Sequence, residues 1–145
     1  MQTLEKLLSK YASETDARWW VGQRPAACDE QFARAIATQV GLPTSIDDPF
    51  ARDGMTLLDW ADAARVLAVA GTTSLAYDAP VPSDEAVMEA KAALKDLKYD
   101  ATFFTNGRWE AGSQSWNPLT TATFDCGVIG FDRENAFIFW IEEAD

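Results

Sequence analysis

The sequence predicts an α+β fold: about four helices in the first two-thirds, packed on a small antiparallel sheet formed mainly by the C-terminal third. Three observations predict it. Apolar residues recur at helical spacing as far as residue 98. From Tyr99 onward the texture turns β-branched and aromatic, with Gly, Asn and Pro punctuation. The two textures follow one another along the chain instead of alternating, which argues against a parallel α/β fold. With 145 residues, 48% of them hydrophobic, and with six Trp and eight Phe, one domain spanning 1–145 can enclose a core.

The elements follow in order. Leu4, Leu7, Leu8 and Tyr11 form one stripe of a first helix. Trp19, Trp20 and Val21 run into Gly22 and Pro25, read as an irregular connection. Asp29 caps a second helix with Phe32, Ile36 and Val40 on one face, stopped by Gly41 and Pro43. Turn formers, among them Asp47, Asp48, Asp53 and Gly54, fill residues 44–55.

Thr56 reads as the N-cap of a third, central helix, with Asp59 three residues on. Its face is Leu57, Trp60, Ala61, Ala64, Leu67 and Ala68, small enough for close packing on another helix, and Gly71 ends it. Pro80 and Pro82 stiffen the way to a fourth helix capped by Ser83. Asp84 and Glu85 open that helix and Lys91, Lys95 and Lys98 close it, in the order the macrodipole favours. Val87, Ala90, Leu94 and Leu97 supply its apolar stripe.

Strands are expected at 101–105, around Trp109, at 120–131 and at 136–141. Asp132-Arg133-Glu134-Asn135 turns between the last two. Phe137, Phe139 and Ile141 alternate with Ile138 and Trp140, so the final strand is apolar on both faces. Such a strand is central, or covered by a helix or a partner.

The net charge is −11. Residues 1–72 carry 7 basic and 10 acidic side chains, and residues 73–145 carry 5 and 13. That field repels phosphate backbones and anionic membranes and steers a basic protein partner. Its plainer consequence is solubility. With no histidine and no CxxC, neither a zinc site nor another metal site is expected, and no cofactor is implied. Cys28 and Cys126 read as free thiols in a reducing compartment. Residues 1–11 lack the apolar run of a signal peptide and no 18-residue apolar stretch follows, so the expected location is cytoplasmic.

The chemistry-bearing residues do not assemble into a known catalytic pattern. Asp125 precedes Cys126, which disfavours a thiolate. The pairs Asp47-Asp48, Asp84-Glu85 and Glu142-Glu143 are adjacent in sequence and so diverge in direction. Asp59 and Asp62 fit the solvent side of a helix. Gly127 and Gly130 lie in an apolar run and read as tight strand packing or a bulge. The expectation is a binding protein and not an enzyme. Trp109 and Trp116 sit in polar, glycine-containing segments (Asn106-Gly107-Arg108 and Gly112-Ser113-Gln114-Ser115). Among the aromatics of this third they are the better candidates for exposed anchors, although core burial remains the favoured reading for both.

The segment Trp116-Asn117-Pro118-Leu119-Thr120, with Ala122-Thr123-Phe124-Asp125, Gly127-Val128-Ile129 and the ending Trp140-Ile141-Glu142-Glu143-Ala144-Asp145, resembles the C-terminal ends of small bacterial immunity proteins. These are encoded beside polymorphic or secreted toxins. The resemblance covers about thirty residues. It implies a small, acidic, non-catalytic protein that binds a cognate toxin over its active or substrate-binding surface. On that reading Trp109 or Trp116 anchors the partner, and Asp132, Glu134, Glu142 and Glu143 supply charge complementarity. A non-catalytic adaptor or assembly subunit is the alternative. A carboxylate- or metal-dependent enzyme is a third reading.

Overall fold

The structure, a computed structural model, describes residues 1–27, 31–46, 48–52, 54–75, 81–110 and 113–143. Cys28, the Asp29 cap, Asp47, Asp53, Pro80, Gly112, Ala144 and Asp145 lie outside the described residues. The expected α+β architecture is present. Four helices, α1 (Gln2–Ala12), α2 (Phe32–Thr38), α3 (Trp60–Thr72) and α4 (Asp84–Leu94), accompany a five-stranded antiparallel sheet and a separate hairpin.

The sheet runs β1-β7-β6-β3-β2, with β1 (Ala17–Gln23), β2 (Thr56–Leu58), β3 (Thr102–Thr105), β6 (Phe124–Phe131) and β7 (Asn135–Glu143). The hairpin joins β4 (Gly107–Glu110) and β5 (Ser113–Trp116). β7 lies between β1 and β6, which explains its two apolar faces. Phe137, Phe139 and Ile141 enter a core with α1, α3 and α4, while Ile138 and Trp140 enter a second core with α2 and Leu119. The β6–β7 register runs unbroken from Phe124↔Glu143 to Phe131↔Ala136, so no bulge interrupts it. Gly127 instead permits close approach, because a Cβ there would lie 2.0 Å from the Phe139 carbonyl oxygen.

α1 sits where its stripe places it. Leu4, Leu7, Leu8 and Tyr11 are all buried on α1, and Gly71 of α3 leaves the space that the Tyr11 ring fills. Asp96 accepts from the Leu4 N–H (2.8 Å) and ties the first turn of α1 to the end of α4. Ser83 caps α4 through the Ala86 N–H (3.1 Å). Gly41, at φ +78°, takes the left-handed conformation just beyond α2.

Two local expectations are corrected. Residues 17–23 form a strand and not an irregular connection, and Trp19 and Trp20 point to opposite faces of it. Thr56 begins β2, and Asp59 is the cap of α3, accepting from the Asp62 N–H (2.7 Å). Leu57 is therefore an exposed edge residue and no part of the helical face.

Candidate functional site

The β4–β5 hairpin pairs Arg108 with Ser115 and Gly107 with Trp116. Period-two alternation then sends Arg108 and Ser115 to solvent, and turns Trp109 and Trp116 to the same inner side. Their rings stack at 5.3 Å and 24°, and Trp116 also meets Phe124 at 5.5 Å. Trp109 is 0% exposed, so the expectation of an exposed anchor there is corrected. Arg65 of α3 donates to its carbonyl oxygen, and its indole Nε1 has no partner among the described residues. Trp116 is half-buried and keeps part of its ring at the surface.

The acidic candidates separate into two groups. Asp132 is only 2% exposed, and its carboxylate accepts from the N–H groups of Lys98 (2.8 Å), Glu134 (2.8 Å) and Asn135 (2.7 Å). Burial pushes this carboxyl up, but the N–H groups of Asn135, Lys98 and Glu134 outweigh it and hold it below the usual 3.8. Asp132 therefore builds the β6–β7 turn and is too enclosed to face a partner, which corrects that expectation. Glu134 is more open and pairs with Lys98.

Glu142 and Glu143 lie at the other end of β7, roughly 25 Å away at about 3.3 Å per residue. The Glu142 carboxylate pairs with Arg18, and Glu143 accepts from the Ser74 hydroxyl and the Leu75 N–H (2.8 Å). Here the fold gathers residues that lie far apart in sequence. Because β1 pairs with β7, Glu14 and Asp16 meet Glu142 and Glu143 around a groove of about 530 Å³, floored by Thr72, Thr73 and Ser74. Phe124, the register partner of Glu143, carries the Trp116 contact to the same end of the sheet.

A residue missed in the sequence organises this end. Asp125 is 0% exposed. It accepts from the Asn106 amide (2.8 Å), the Leu119 N–H (3.1 Å), the Trp140 indole (3.0 Å), the Thr120 N–H (3.3 Å) and the Thr120 hydroxyl (3.1 Å). Burial raises its carboxyl above 3.8 against the pull of those donors. Its only signal in the sequence is a single charge inside an apolar strand. The neighbouring Cys126 is a free, buried thiol, raised well above 9.0 by burial first and by Asp125 second, with Arg65 acting in the opposite direction. That is the reverse of what a reactive thiolate needs.

Among the described residues, no group of three or more Cys, Asp and Glu is placed to hold a metal ion. No described helix is long and apolar enough to cross a membrane. Comparison with protein-family models, with curated proteins and with solved structures gives no match.

Proposed function

We propose that this chain is an immunity-type protein that binds a cognate toxin and neutralises it by covering the toxin's active or substrate-binding surface. The observation that carries the reading is the acidic end of the sheet: Glu14 and Glu143 border a groove there, and the register partners Asp16 and Glu142 line its rim with their carboxylates on the Arg18 face. Half-buried Trp116 lies at the same end, one aromatic contact away. A net charge of −11 extends that field and steers a basic protein surface toward the groove. The segments resembling immunity proteins, residues 116–129 and 140–145, include this end of the sheet. On this reading the chain acts in the cytoplasm and performs no catalysis of its own.

The test is a binding and protection experiment with the protein encoded by the adjacent gene. A stable complex that abolishes the toxin's activity, and survival of cells expressing both, is the expected result. Failure of both binding and protection rejects the reading, and a complex without protection favours an adaptor.

A further inference from the structure

The fold leaves one long sheet edge open. β2, the edge at one side, has three residues, and shortness is itself a protection against pairing. β1, at the other side, has seven residues with no proline, lysine or bulge. The ladder bonds Arg24 N–H to Glu134 O (2.9 Å) and Glu142 N–H to Asp16 O (3.4 Å) fix the phase of β1 on β7. Even-numbered residues of β1 therefore bond to β7. The N–H and C=O groups of Ala17, Trp19, Val21 and Gln23 point outward, with no backbone partner among the described residues.

We infer that this edge pairs with β1 of a second copy, antiparallel about a two-fold axis at Trp20, to give a continuous ten-stranded sheet. The register follows from composition. Centring the axis on Trp20 sets Ala17 opposite Gln23 and Trp19 opposite Val21. Every outward group is then used, for about eight main-chain hydrogen bonds. The same register sets exposed Asp16 opposite Arg24, whose guanidinium lies 4.1 Å over the Phe32 ring on the same face of the sheet, once at each end of the seam. A shift of the axis to Val21 would oppose Arg18 to Arg24 and lose a pair of backbone groups. A shift to Trp19 would lose the Asp16–Arg24 match. Trp20 leans along its own strand, since a Cβ on Gly22 would lie 2.5 Å from its Cζ2 atom. Its ring therefore faces Arg18 of the second copy across the seam. This pairing stands whether or not the toxin reading holds.

Sedimentation equilibrium on the purified chain, with circular dichroism to check folding, tests it. The expected result is a concentration-dependent dimer. Val21→Pro removes a central outward N–H without touching the β7 ladder and is expected to give a folded monomer. Arg24→Asp sets two like-charge pairs at the seam and is expected to weaken the dimer about tenfold, and Arg24→Asp with Asp16→Arg to restore it. The charge pair decides the matter should Val21→Pro fail to fold. A wild-type chain that stays monomeric, or a dimer indifferent to Arg24→Asp, overturns the proposal.

Discussion

Two buried aspartates at opposite ends of the sheet hold its loops, and they respond differently to change. Asp125 serves five donors from the backbone and side chains of residues 106, 119, 120 and 140. Asp125→Ala strands those donors in a dry interior and should cost about 3 kcal/mol, read by urea denaturation at neutral pH. Wild-type stability in the variant would show that the network contributes nothing net. Asp132 is held below its ordinary 3.8 by three N–H groups. A depressed carboxylate binds protons less readily folded than unfolded. Its contribution is thus full above 3.8 and is lost as pH falls through the lowered value. Thermal melts from pH 7 to pH 2 should show that acid loss in the wild type, and a flatter profile in Asp132→Ala.

At the scale of elements, the helices follow local rules and the sheet follows distant ones. Ser83 caps α4 through the Ala86 N–H, and Ser83→Ala should cost about 1 kcal/mol, measured by denaturant midpoint. That cap, the α1 stripe and the last two strands were legible because each signal lies within a few neighbouring residues. β1 was not, because its pairing partner lies more than a hundred residues away and Gly22 and Pro25 mimic a loop. The cap of α3 was misplaced for a related reason. Thr56 and Asp59 both suit an N-cap, and only pairing with β3 makes strand of residues 56–58. The candidate site was half legible. Glu142 and Glu143 stand in the sequence as an acidic ending, whereas Glu14 and Asp16 join them only through β1. The polar neighbours of Trp109 suggest an exposed anchor, but alternation along the hairpin turns those neighbours outward and the indole inward, into the core that the sequence reading also weighs.

The whole molecule separates its charges from its two cores. The apolar faces of β6 and β7 are covered on both sides, and Glu14, Asp16, Glu142 and Glu143 come together at the far end of β7. On the proposed function, that acidic end steers a basic partner. The most direct measurement of that steering is the association rate with the adjacent-gene toxin across a range of ionic strength, for wild type, Glu14→Lys and Asp62→Lys. Glu14 is exposed at the groove, and Asp62 is exposed at the opposite end of α3. The account predicts a rate that falls with added salt in the wild type, about a tenfold slower and less salt-sensitive rate in Glu14→Lys, and little change in Asp62→Lys. Equal rates for all three proteins, independent of salt, would contradict it.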